Sequence, residues 1–217
     1  VLGSAMVEME CRDNGRVRKL VFSGDIGRKG MPILRDPWEP TDADVVLMES
    51  TYGDRDHDPI ETRDEKLAEI VRTTHARGGK IVVPSFALER AQEFVYSLKK
   101  MELAGLIPEL PVYVDSPLTV RITDIFRLHT EVFDTEIRRV IASAGDPFHL
   151  EQIRYITRVE DSMRLNTQRE PMIIISASGM CETGRILHHL RNNVEEPKNT
   201  VLIIGFQAKN TLGRRIV

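Results

Sequence analysis

Apolar and polar positions alternate over residues 5–11, with Ala5, Val7, Met9 and Cys11 on one side, and an extended pattern resumes over residues 17–22. Between them stands Asn14-Gly15. Two residues that tolerate positive φ, flanked by period-two segments, predict a β-hairpin. Residues 45–48 form a short apolar run ending at Glu49, which reads as a buried strand. The first zone is therefore mostly sheet.

From residue 62 the period changes. Leu67, Ile70, Val71 and Thr74 recur on one helical face, and Gly78-Gly79 stops the pattern. Residues 80–83 read as a strand, and Pro84-Ser85 turns it into a helix carrying Leu88, Ala91, Phe94, Val95 and Leu98. Residues 111–114 form a further strand, with Asp115-Ser116-Pro117 opening the next helix. Helices follow over 122–129 and 136–144, broken by Gly145-Asp146-Pro147. Residues 172–175 have the unbroken apolar character of a central parallel strand. A helix over about 185–193 and a strand over 200–205 close the chain. This alternation predicts an α/β fold with a parallel sheet and helices on its faces. The Pro- and charge-rich stretch 35–44 reads as a surface connection.

Composition narrows the picture little. The 217 residues are 41% hydrophobic and 29% charged, enough for a sizeable core. No apolar run approaches a bilayer span, so no membrane partner is expected. Two distant cysteines, Cys11 and Cys181, form no ligand pair and point to a reduced, cytoplasmic setting. A net charge of −3 means that any nucleic acid must be held in a locally basic groove. The chain opens at Val1 without Met and stops at Val217 on an apolar note, the pattern expected of an internal segment of a longer protein.

Three segments place reactive residue types where strands run out, the positions at which layered α/β proteins collect their sites. They are FSGDIG (22–27), MESTYGDR (48–55) and SASGMCETGRILHHL (176–190). Asp25 can serve as a metal ligand or base, or simply cap its turn. Glu49, read as buried, needs a cation or a histidine as partner, for structure or for catalysis. His188 and His189 are helix neighbours about 100° apart, so only one can face a site; a carboxylate such as Glu49 would fix that ring's tautomer. The other histidines, His57, His75, His129 and His149, read as structural or surface groups. Ser178 and Gly179 in one strand–helix turn, and Ser85 in another, leave backbone N–H groups free for a phosphate, or serve tight packing. Neither a P-loop nor a dinucleotide fingerprint is present, which weighs against a Rossmann-like nucleotide module.

Taken together, FSGDIGRKG, LMESTYGDR, VPSFALERAQE, VDSPL, SASGMCETGRILHHL and GFQAKNTLGRRI strongly resemble the β-CASP branch of the metallo-β-lactamase superfamily, across essentially the whole chain. That branch holds RNA-processing nucleases related to the cleavage-and-polyadenylation endonuclease and RNase J. The resemblance implies part of an αββα-type metallo-β-lactamase fold with an inserted β-CASP domain. The implied division is a partial lactamase-like domain over 1–52, the β-CASP domain over 53–199, and a return to the first domain over 200–217. It implies single-stranded RNA as the partner, two zinc ions bridged by Asp25, Glu49 as the acid of the first β-CASP motif and His189 as the histidine of the second. His189 would then be the general acid, held by Glu49, with Ser85, Ser178, Gly179 and Arg185 towards the RNA phosphates. A homodimer is left open.

The family's H-x-H-x-D-H cluster is absent from these residues, as are the zinc-binding histidine before the LGSA segment and the third β-CASP histidine. The expectation is a zinc-dependent ribonuclease for the parent protein and an inactive fragment for this chain. The competing expectation is a scaffold subunit that has lost its metal.

Overall fold

The computed structural model describes residues 1–54, 56 and 62–217; Arg55 of the MESTYGDR segment and His57 lie outside the described residues. The predicted hairpin forms: β1 (Val7–Asp13) and β2 (Arg16–Phe22) pair antiparallel, Val7 opposite Phe22. Asn14 and Gly15 both take positive φ, 50° and 79°, as a two-residue turn of this hand requires. A short β3 (Val45–Leu47) adds to β2 in parallel, Phe22 opposite Leu47. The expected burial of β3 is not found. Val45, Val46 and Leu47 stand 41–53% exposed, because β3 is an edge strand that no layer covers among the described residues.

The main body is a five-stranded, wholly parallel sheet in the order β6-β5-β7-β4-β8. Its strands are β4 (Ile81–Pro84), β5 (Val112–Asp115), β6 (Ile153–Ile156), β7 (Ile173–Ser176) and β8 (Thr200–Val201). The helices are α1 (Arg63–Ala76), α2 (Arg90–Leu103), α3 (Pro117–Leu128), α4 (Thr135–Ala144), α5 (Val159–Thr167), α6 (Ile186–Asn193) and α7 (Leu212–Ile216).

Alternation along each strand divides the helices between two faces. Ile81, Val83, Val112, Val114, Ile173 and Ile175 pack with Val71 of α1, Leu98 of α2, Phe126 of α3 and Ile137 of α4. On the opposite face, Val82 meets Ile186 and Leu190 of α6, while Tyr113 and Ile174 meet Leu165 of α5. Burial of this kind stabilises by about 1.5–3 kcal/mol per large side chain. The central strands β4, β5 and β7 are buried along their whole length, which is why they read as continuous apolar runs.

The chain leaves β5 towards β6 and leaves β7 towards β8, so the direction of winding reverses between these two neighbours. Such a reversal opens a crevice at the carboxyl ends of the strands, here at Asp115 and Ser176. Residues 200–201 pair with β4 in parallel, Ile81 opposite Thr200. Among the described residues no helix is long and apolar enough to cross a membrane.

Candidate functional site

Register brings two of the sequence-derived residues together. Phe22 of β2 and Leu47 of β3 are parallel partners, so the chain leaves both strands at the same sheet end. Asp25 lies three residues beyond the first and Glu49 two beyond the second. Ser23 fastens the exit by donating its N–H to Leu47 O at 2.9 Å. Gly24 then turns at φ 55°, with Ala5 O 3.1 Å from where a Cβ would stand. Both carboxylates are exposed and line a cleft of about 1420 Å³. Glu49 Oε2 accepts the Thr51 N–H at 2.8 Å.

Among the described residues, five cationic side chains line the same cleft: Arg28, Arg35, Arg63, Lys66 and Arg90. They face five carboxylates, the other three being Asp36, Glu89 and Glu93. Glu89, missed by sequence reasoning, sits at φ 70° in a tight turn closed by the Arg90 N–H on Leu88 O at 2.9 Å. That conformation costs a non-glycine residue roughly 1–3 kcal/mol. Glu89 Oε2 accepts the Leu2 N–H at 3.1 Å, tying the N-terminal segment to the cleft wall. Burial pushes the Glu93 carboxyl up and neighbouring Glu89 adds to this, against the Arg90 guanidinium, which donates to Glu93 Oε2 at 2.6 Å.

His189 is elsewhere. It is fully buried on α6, and its Nε2–H donates to Asp115 Oδ2 at 2.6 Å. Its Nδ1 meets the Asn166 side-chain amide at 2.9 Å. The expected pairing of Glu49 with His189 is therefore not formed: both ring nitrogens are held by other partners, and no face of the ring is open to a substrate. His188, its neighbour, is exposed.

The residue that organises this second group is Asp115 at the end of β5, read from sequence only as part of a helix opening. Arg185 Nη1 donates to its Oδ1 at 2.6 Å and Ser162 Oγ to its Oδ2 at 2.5 Å. Burial pushes the Asp115 carboxyl up, but the hydrogen bonds from His189, Ser162 and Arg185 outweigh it and hold the group below the ordinary carboxylate range. An apolar strand ending in Asp-Ser-Pro was the available signal for a carboxylate at a strand end.

The four phosphate candidates are also committed within the fold. Ser85 Oγ donates to Phe86 O at 3.0 Å, and Ser178 Oγ accepts the N–H groups of Glu182 and Thr183 at 3.2 and 3.3 Å. Arg185 Nη2 donates to Thr157 O at 2.7 Å. Gly179 is required by close packing: a Cβ there would stand 2.6 Å from Phe86 Cδ2. Its carbonyl accepts from Gln207 Nε2 at 2.9 Å, which joins the 176–190 and 205–216 segments.

The described donors around Asp25 do not by themselves make up the implied pair of zinc sites. Zinc takes about four N, S or O ligands per ion, and among the described residues no group of three or more His, Cys, Asp or Glu side chains converges to hold a metal.

The helix-flanked parallel sheet makes this an α/β protein of the metallo-β-lactamase type, and the Beta-Casp domain model matches residues 91–216. The chain belongs to the Beta-Casp family of RNA-processing nucleases. It is 36% identical over 215 residues to "Ribonuclease TTHA0252" of Thermus thermophilus, a match covering 99% of this chain and 48% of that protein. It is 30% identical to an "RNase J-like protein" of Methanocaldococcus jannaschii, covering all of this chain and 49% of the relative. It is 29% identical to "Endoribonuclease YSH1" of Saccharomyces cerevisiae, covering all of this chain and 28% of the relative. The chain thus spans about half, or less, of the length of the curated relatives it matches.

Proposed function

We propose that this chain carries the RNA-binding face and part of the catalytic cleft of a zinc-dependent ribonuclease that hydrolyses phosphodiester bonds in single-stranded RNA. The active species in this reading is the whole protein, and these 217 residues alone are inactive. The observation that carries it is the exit of Asp25 and Glu49 from adjacent parallel strands onto one cleft wall among five side-chain cations. The ribonuclease and endoribonuclease relatives support the substrate class.

In this reading Asp25 supplies one metal ligand, further ligands come from outside the described donors, and Glu49 is a carboxylate of the same cleft. The general-acid role is not given to His189, whose ring is enclosed. The division at residue 52, a cytoplasmic setting and a homodimer belong to the same proposal.

The test is cleavage of an end-labelled single-stranded RNA by the whole protein and its Asp25→Asn variant, with zinc content measured on both. Cleavage lowered a hundredfold or more by Asp25→Asn, together with zinc loss, is expected. RNA bound but left intact by the zinc-loaded wild type would overturn the ribonuclease reading and favour a scaffold.

A further inference from the structure

Of the twelve Phe, Trp and Tyr residues, only Trp38, Phe86 and Phe206 are exposed, at 59%, 40% and 37%. They are not scattered. Trp38 and Phe206 both line the cleft that holds Asp25 and Glu49. Phe206 stands edge-on to Tyr52, with ring centroids 6.0 Å apart and planes at 69°, and Tyr52 is a third aromatic on that wall. Phe86, in the β4–α2 loop, lies over Gly205, the residue immediately before Phe206; a Cβ on Gly205 would stand 3.8 Å from Phe86 Cε2. Gly179 and Gly205, from two different loops, thus clear the ground on which Phe86 rests.

Nine of the twelve aromatic residues are wholly or partly buried; of the remaining three, Trp38 and Phe206 line this cleft and Phe86 packs beside Gly205 of its wall, a placement that suits a ligand with flat apolar faces. The charge balance points the same way. Among the described residues, the five cations of the cleft face five carboxylates, so phosphate attraction from these side chains alone holds a polyanion weakly there. Base–aromatic stacking adds about 1–3 kcal/mol per base, independent of sequence.

We propose that Trp38, Phe86 and Phe206 form a stacking track for the unpaired bases of single-stranded RNA at the mouth of this cleft. The proposal rests on the reading of the cleft as an RNA site and adds how the strand is gripped. Duplex RNA, whose bases are already stacked, is a poor ligand for the track. Affinity depends on salt only weakly, because few counterions are displaced.

Trp38, the sole tryptophan of these 217 residues, is a built-in reporter. The experiment titrates the protein with an oligouridylate and with an abasic ribose-phosphate strand of equal length, following tryptophan emission. The expected result is quenching by the base-bearing strand only, with binding at least about fivefold tighter than the abasic strand. Phe206→Leu and Phe86→Leu each abolish most of that preference, and Phe206→Tyr and Phe86→Tyr restore it. Thermal melts confirm that the variants fold; Phe206→Leu keeps the test usable if Phe86→Leu does not.

Equal binding of the two strands, or leucine variants that keep the preference, would overturn the track. If RNA cleavage by the whole protein still depends on Asp25 in that case, the track fails alone. Binding of neither strand overturns both the track and the RNA reading of the cleft.

Discussion

Asp115 and His189, 74 residues apart in sequence, meet through a 2.6 Å hydrogen bond from Nε2 to Oδ2 in the fully buried interior beneath the carboxyl ends of β5 and β7. The contact pins α6 to the sheet at the crevice, and Arg185 and Ser162 close the other approaches to the carboxylate. A carboxylate so enclosed is tolerated only because each oxygen is met by a donor.

Asp115→Ala is expected to lose about 3–5 kcal/mol of stability, since it strands Arg185, His189 and Ser162 without their acceptor. Chemical denaturation at neutral pH is the check. A loss below about 1 kcal/mol would mean that the network relaxes onto water.

The same carboxyl gives a pH dependence. Its folded pKa is held below the ordinary value of about 3.9, so its contribution is complete above that value and fades as pH falls through the folded pKa. Between pH 6 and pH 3 the wild type should lose more stability than Asp115→Asn.

Glu93 titrates in the opposite sense. Its folded pKa is raised by burial, so the group favours folding below the ordinary glutamate value and ceases to do so as pH rises through the folded pKa. Glu93→Gln should therefore gain on the wild type between pH 4 and pH 7. A constant difference across that range would show that Arg90 fully compensates the burial.

His189→Ala and Glu49→Gln separate the two clusters. The first should lower stability by about 3 kcal/mol, or a melting point by roughly 6–12 °C in a chain of this size. The second, at an exposed residue, should stay within about 0.5 kcal/mol. Equal melting points would place His189 outside the core network.

Gly179→Ala forces a methyl group onto the Phe86 ring and within 2.9 Å of the Phe86 backbone nitrogen. The expected cost is about 1–3 kcal/mol. Wild-type stability in that variant would show the Phe86 loop to be free to move aside.

The hairpin, the central strands and the first four helices were legible because their signals are local: an Asn-Gly turn, four-residue apolar runs, and apolar positions at helical spacing. The strand β6 and the helices α5 and α7 escaped. β6 is a partly exposed edge strand, α5 is short and charged, and α7 spans five residues. Asp25 and Glu49 could be placed at one sheet end because strand ends are visible in sequence. The pairing of His189 with Asp115 rather than Glu49 was not legible because residue type does not reveal which way a helix faces, and Asp115 lies on a distant strand. Trp38 was passed over inside a polar connection, where a lone large aromatic was itself the signal.

The strand order has a consequence for synthesis. β4 finds its neighbours only in β7 and β8, its residue Ile81 pairing with Ile173 and Thr200. A ribosome adding about 5–20 residues per second leaves this wholly apolar strand without a pairing partner for roughly 5–20 s after it emerges. Until then the cover available to it comes from α1 to α4, which pack on the same face of the sheet, so β4 waits for its sheet neighbours through most of the synthesis of this segment.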